Sequence, residues 1–378
     1  MINRISISNF KSFKSFSTDL ARLTILAGLN GSGKSSLIQA LLLFKENLRN
    51  SSSASAEMPL SKEGAYDFGL QEDVFYCYSQ LLGARAKIEI STDALGDGKC
   101  EFVFDDGAKN SVAGVYSKEA VLSDAFKGSI SGMQYISAGR REPITQHAYD
   151  INKAARRVWG RDGANAVAFY NDRKDQPVSL KELCVKQGVG ETYLEQVNYW
   201  MGEIISSGIR VVSSRKPSDE FVDLRMAFTT RPEGKNFQPK NVGYGISIVL
   251  PIVIALLGAK KGDCILFENP EAHLHPAGQA KLGRMLAIAA AAGVQLIVET
   301  HSDHIVNGIR VAIKERKIRL EDVAIRYFAR EEHEVPGGVV EQYTVPHRVV
   351  LDEGGDIVEC PEGFLDEWSN QLTKLWSR

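Results

Sequence analysis

Only five of the 378 residues are cysteine (Cys77, Cys100, Cys184, Cys264 and Cys360), odd in number and widely scattered. That pattern argues against a disulfide framework or a zinc site and for reduced thiols in a cytoplasmic protein. An excess of one charge sign is missing too. With 45 Lys and Arg against 47 Asp and Glu, no global basic field points to nucleic acid, and only a local patch stays open. Long hydrophobic runs are absent. The most apolar stretch, Ile246 to Leu257, is twelve residues with Pro251 inside, too short for a bilayer and suited to a buried helix. The opening Met-Ile-Asn-Arg-Ile-Ser alternates like a strand and lacks the segments of a signal peptide. No internal repeat or heptad array is present. These absences leave a soluble, non-membrane protein, and the length leaves room for two or three domains.

What is there begins with Leu26-Ala-Gly28-Leu29-Asn30-Gly31-Ser32-Gly33-Lys34-Ser35-Ser36-Leu37. This is a G-x-x-x-x-G-K-S phosphate loop between an apolar strand (Leu23 to Ala27) and a helix whose Leu37, Ala40, Leu41, Phe44 and Leu48 share one face. Gly28, Gly31 and Gly33 permit the tight turn that aims successive N–H groups of Asn30 to Ser36 at phosphate oxygens. The helix N-terminus favours the same negative charge. Lys34 supplies an ammonium to the β/γ-phosphates, and Ser35 a hydroxyl to Mg²⁺. A nucleoside triphosphate is the implied ligand.

A second motif, Cys264-Ile-Leu-Phe267-Glu268-Asn269-Pro270-Glu271-Ala-His273-Leu-His275-Pro276, reads as an apolar strand ending in carboxylates. Glu268 can reach Mg²⁺ directly or through water, and Glu271 can position the attacking water. His273 and His275 fit a turn or interface better than a metal site. Next, Val298-Glu299-Thr300-His301-Ser302-Asp303-His304 puts His301 just after another apolar strand, where ligands gather in parallel sheets. The turn Val242-Gly243-Tyr244-Gly245-Ile246-Ser247 opens the apolar helix, and its N–H groups with Ser247 can bind a γ-phosphate held by another subunit.

Between these motifs, residues 65–136 read as short strands (87–91, 100–104, 133–137) parted by Gly96-Asp97-Gly98 and Asp105-Asp106-Gly107 turns. Asn50 to Glu57 is Ser/Ala-rich. Residues 148–208 read as helical, and the C-terminal third alternates strands and helices. The run Gly139-Arg140-Arg141-Glu142-Pro143 reads equally as a solvated basic loop or as a contact for phosphate, nucleic acid or a partner. A last amphipathic helix from Phe364 to Trp376 is expected to pack or to dock.

The order of these motifs resembles the ABC-type ATPases, in the branch of OLD-family and SMC-related proteins. Asn9-Phe10-Lys11-Ser12 looks like that branch's N-terminal element. The Glu268–Pro276 and Glu299–His304 strings are similar to a bacterial AAA-type subgroup associated with antiviral defence (Septu-like and retron-associated ATPases). Pro361-Glu-Gly-Phe364-Leu365-Asp366 stands where that subgroup has Pro-x-Gly-Phe-Phe-Asp. The resemblance implies an α/β ABC-type phosphate-loop core with a mixed or parallel sheet and an inserted β-rich and helical lid. Its expected parts are residues 1–147 and 221–378 as the two halves of the core and 148–220 as the helical lid. It implies ATP and Mg²⁺ as cofactors, and Gln71 as the glutamine linking Mg²⁺ to the lid. Two copies would close head to tail around ATP, each offering Gly243, Gly245 and Ser247 to the other's nucleotide, as a homodimer or higher homo-oligomer. The output would be control of a separate effector, a nuclease or toxin.

The sequence departs from the pattern in two places. Asn269 occupies the position of the usual catalytic glutamate, so either Glu271 serves as the base or the protein turns ATP over slowly and chiefly senses it. The Leu-Ser-Gly-Gly signature is missing. Residues 302–378 hold no Asp-x-Asp cluster, so no TOPRIM nuclease is expected. A non-hydrolysing scaffold and a RecF-like repair ATPase remain the alternatives.

Overall fold

The computed structural model describes residues 1–376 other than 51–54, 63–65, 80–83, 94–95, 104–109, 117–122, 141, 186–187, 230–234 and 336–338. The chain forms two compact units. The first comprises residues 1–133, 323–352 and 356–378, and the second residues 134–322 and 353–355. Residues 148–220, the expected helical lid, fall wholly in the second.

The first unit contains a six-stranded antiparallel sheet in the order Phe13–Asp19, Ile2–Phe10, Arg85–Thr92, Gly96–Val103, Ser111–Tyr116, Ser55–Pro59. Alternation explains one face: Ile88 and Ile90 point inward and are fully buried. Helix Lys34–Asn50 contributes Leu37, Leu41, Phe44 and Leu48 to this core, the face read from the sequence. Gly96-Asp97-Gly98, expected as a turn, is strand and pairs with residues 90–92. The reason is packing: a Cβ on Gly98 would lie 2.5 Å from the Phe126 ring, so glycine here admits an aromatic rather than turning the chain. The 50–57 stretch ends in strand Ser55–Pro59, while 51–54 and the Asp105-Asp106-Gly107 turn lie outside the described residues.

A second set of strands in this unit carries the phosphate loop. Strand Leu23–Gly28 runs parallel to Val323–Val335, which pairs antiparallel with Val339–Leu351 along eleven residue pairs from Ile325↔Val349 to Val335↔Val339. Phe364 is buried edge-on against Tyr327 and precedes helix Glu367–Trp376, at whose end Leu375 and Trp376 are exposed.

In the second unit, Gln134–Ile136, Cys264–Glu268 and Gln295–Glu299 are parallel and adjacent in that order. The last two are buried on nearly every residue, as expected of strands covered on both faces. Helix Tyr244–Gly258, thirteen of whose residues are buried despite Pro251, packs with helices Ala166–Arg173 and Tyr193–Ile204. Helices Pro276–Ala291 and Asp303–Lys314 approach backbone to backbone at Gly283 against Ile305 and Gly308 against Ala280, where no Cβ would fit. That close packing fixes the two turns, 269–275 and 300–302, that precede these helices. No helix among the described residues is long and apolar enough to cross a membrane.

Candidate functional site

Each unit carries one part of the expected site. In the first, the chain leaves the buried strand Leu23–Gly28 and turns through Leu29–Gly33 into helix Lys34–Asn50. Gly28, Gly31 and Gly33 take φ of 140°, 72° and 99°, a region costly for any residue with a Cβ. Space forbids a side chain as well: a Cβ on Gly33 would lie 2.6 Å from Ser12 Oγ and 2.7 Å from Thr344 Oγ1. Lys34 is buried, and its ammonium folds back over the loop to donate to the carbonyls of Gly28 (2.9 Å) and Leu29 (2.8 Å). Asn30 and Gly31 are exposed, Ser35 and Ser36 half-buried, and Ser32 Oγ is buried without a partner among the described residues.

The loop is braced by residues that sequence reasoning missed. Thr344, on strand Val339–Leu351, donates its N–H to the Ser12 carbonyl (2.8 Å) and its hydroxyl to the Ser32 carbonyl (2.9 Å). It thereby ties the Asn9–Phe13 turn, held by positive φ at Asn9 and Lys11, to the phosphate loop. Arg330, on the partner strand, donates Nε to the Gly31 carbonyl (3.0 Å). Both braces lie some 300 residues away along the chain (312 and 299), so no local signal pointed to them. Gln71 is buried at the start of helix Gln71–Val74, with its amide donating to the Ser111 carbonyl.

In the second unit, Glu268 and Glu299 face each other in register at the ends of their strands. Glu268 accepts from the Ala138 N–H (3.2 Å). Burial, with the Glu268 carboxylate beside it, holds the Tyr135 phenol well above its ordinary value and hence protonated. Asn269 adopts φ 41°, tolerable for asparagine, and donates its N–H to the Glu299 carbonyl (2.8 Å). Glu271, only 8% exposed, accepts the His301 N–H on one carboxylate oxygen (2.9 Å). Burial pushes its carboxyl above the ordinary value, opposed by that N–H, its own N–H, Thr300 and Arg140. The strand-end carboxylates and His301 are thus brought together, with the His301 side chain exposed.

Arg140, in the run read as a basic loop or as a contact for phosphate, nucleic acid or a partner, turns inward. It is 6% exposed and its guanidinium donates to the carbonyls of Ser137 (2.9 Å), Glu268 (2.9 Å) and Asn269 (2.6 Å). Burial pushes it down to about 10 against the opposing field of Glu271 and Glu268, so it stays charged at neutral pH. It serves the carboxylate turn; Arg141 lies outside the described residues. Arg140 Nε, Asn269 Oδ1 and Glu271 Oε2 are buried with no partner among the described residues.

The Gly243–Ser247 element borders two cavities. Gly243 caps helix Tyr244–Gly258 with open space around it, and lines with Gly245 a cavity of about 440 Å³ bounded by Ile204, Phe228, Phe237 and His273. Ser247 instead lines a small cavity with His147, Asp162 and Pro251. His273 sits at φ 62° against the Tyr244 ring, and His275 caps helix Pro276–Ala291 through Nδ1, which gives both histidines turn roles.

Residues 1–148 match the family described as "AAA ATPase domain", and residues 148–307 the family described as "AAA domain, putative AbiEii toxin, Type IV TA system". Both matched families are described as AAA domains. Residues 318–375, which contain the bracing strands, match a protein of unknown function, DUF3696. No curated protein matches the sequence. Among solved structures, the SMC head domain from Thermotoga maritima is similar at 12% identity and a TM-score of 0.45, over 92% of this chain and 99% of that one. The Pyrococcus furiosus Smc head domain with an extended coiled coil, bound to the C-terminal domain of ScpA, is similar at 13% identity and a TM-score of 0.49, over 100% and 99%.

Proposed function

We propose that the chain binds ATP with Mg²⁺ on Asn30–Ser36, hydrolyses it slowly, and uses the bound state to join two copies that control a separate effector. The observation that carries this reading is the phosphate loop: three glycines at positive φ followed by the buried Lys34 at a helix N-terminus. The residues fit the ligand. The unpartnered Ser32 hydroxyl lies in the cradle, and three further unpartnered polar atoms cluster on the carboxylate turn of the second unit.

Ser35, Gln71 and Glu268 are the side chains that would hold Mg²⁺, which would neutralise charge on the phosphates. Lys34 leaves its two loop carbonyls for phosphate oxygens. Glu271 takes the base role that Asn269 cannot fill, because an amide accepts no proton from water at neutral pH. Its bond to the His301 N–H couples the base to the strand end that senses the γ-phosphate. Gly243, Gly245 and Ser247 belong to the element offered to the second copy, with Gly243 at its exposed tip. A nuclease or toxin effector in bacterial antiviral defence is the output in line with the motif strings and with the toxin named in one matched family's description.

A second reading, a nucleotide-gated scaffold without turnover, is favoured by one feature: burial holds Glu271 toward its neutral form. Phosphate release and native mass measured with saturating MgATP separate the readings. We expect slow release and an ATP-dependent dimer, with Glu271→Gln keeping the dimer and losing release. A dimer without release in the unaltered chain establishes the scaffold. A chain that binds no ATP, or stays monomeric with it, overturns both.

A further inference from the structure

We infer that Arg330 is a ligand for the phosphates of the loop-bound nucleotide, and that the strands of the C-terminal segment form an additional wall of the phosphate site. This deepens the reading of Asn30–Ser36 as a nucleoside triphosphate site and rests on it.

The geometry starts from the backbone. Strand Val323–Val335 pairs in parallel with Leu23–Gly28 and continues beyond its last paired residue, Phe328 opposite Gly28. Where the partner strand turns away into the phosphate loop, Arg330 therefore stands beside that loop. Its Nε–H is fixed on the Gly31 carbonyl at 3.0 Å, and Nη2 lies 3.2 Å from where a Cβ on Gly31 would be. The guanidinium thus rests on the one glycine of the loop that is itself exposed. Arg330 is exposed and forms no ion pair among those seen in the described residues; its one observed hydrogen bond uses Nε, which leaves the two Nη groups, four N–H donors, for a ligand.

An arginine used only to brace a carbonyl needs no more than one donor. The bracing is already performed by Thr344, which is 1% exposed and holds the adjacent Ser32 carbonyl. Two buried hydroxyls at the same place, Ser12 Oγ and Ser32 Oγ, have no partner among the described residues. A fixed guanidinium beside unpartnered hydroxyls and a turn of inward N–H groups fits a phosphate chain. Charge-assisted, two-pronged recognition of phosphate is what arginine does better than lysine. The segment 318–375, matched only to a family of unknown function, then serves the site in two ways. Its antiparallel strands shape the loop through Thr344 and charge it through Arg330.

The test is equilibrium binding of ATP to the full chain, wild type and Arg330→Gln, across a range of ionic strength, with Lys34→Ala as the control on the loop. Arg330→Gln is expected to weaken ATP about tenfold at low salt, near 1.4 kcal/mol, and to flatten the salt dependence, because one screened charge contact is gone. Arg330→Lys, which keeps the charge and loses the fork, should recover part of the affinity. Unchanged ATP affinity in Arg330→Gln overturns the proposal. A loss that is equal at every salt concentration also overturns it, because that outcome marks a brace without a charge contact. Wild-type chain that binds no ATP, with Lys34→Ala indistinguishable from it, defeats the underlying reading instead. The unliganded melting temperature of Arg330→Gln, expected unchanged at this exposed position, separates these outcomes from a folding defect.

Discussion

The phosphate loop and the carboxylate turn present opposite designs. The loop keeps its shape with glycines at positive φ and a few bonds to its own carbonyls, braced by side chains from elsewhere. The carboxylate turn is organised by a buried side chain. Arg140 gathers three carbonyls, while Glu271 is pinned by the His301 N–H. A backbone cradle tolerates changes around it as long as its glycines remain, because phosphate is recognised by N–H groups common to all residues. A buried charge network is unforgiving, since removing one member strands the others in a medium that solvates them poorly.

The largest expected effect follows from that contrast. Arg140→Met leaves three carbonyls and two carboxylates without their cation, and should cost about 3–5 kcal/mol of stability. Urea or thermal denaturation measures it, and a loss below about 1 kcal/mol would erase the distinction between the two designs. The exposed Arg330 offers the matching control, with stability expected within about 0.5 kcal/mol of wild type.

A middle-sized effect concerns pH. The Glu271 carboxyl lies above its ordinary 4.5 in the folded chain because burial favours the neutral acid. The stability it contributes is therefore fully present below the unfolded value and is lost as pH rises through the folded one. Turnover moves the other way, since a base works only once ionised. ATP hydrolysis should climb with pH through a midpoint above 4.5, and Glu271→Gln should abolish that limb. A pH–rate profile unchanged in Glu271→Gln would assign the base elsewhere. The smallest effect is expected at Thr344→Val, which deletes one hydroxyl bond to the loop. It should cost about 1 kcal/mol and leave the loop's charge untouched, readable as a small stability loss with unaltered salt dependence of ATP binding.

How much was legible depended on how local each feature is. The strand–loop–helix at Leu23–Asn50 was readable because its glycines, lysine and apolar face all lie within one short stretch. The alternation of strands and helices in the C-terminal third was readable by the same token. The Gly96–Gly98 stretch was misread because a glycine looks alike whether it turns a chain or makes room for Phe126. Strand Val339–Leu351 went unnoticed, since its buried Glu341 and Thr344 break the apolar alternation that marks a strand. Arg140 was visible as a basic residue after a strand, and only its partners' positions distinguish a buried clamp from a surface charge.

By itself, the sequence determined the phosphate loop, the strand-end carboxylates with asparagine between them, and the α/β class. Each is encoded by neighbours whose periodicity or spacing acts directly on the local backbone. Tertiary structure alone decided that Arg140 points inward, that Thr344 and Arg330 attend the loop, and that Ser247 and Gly243 border different cavities. These outcomes are pairings between distant segments, and a pairing becomes favourable only after the intervening chain has folded and the burial of both partners has been settled.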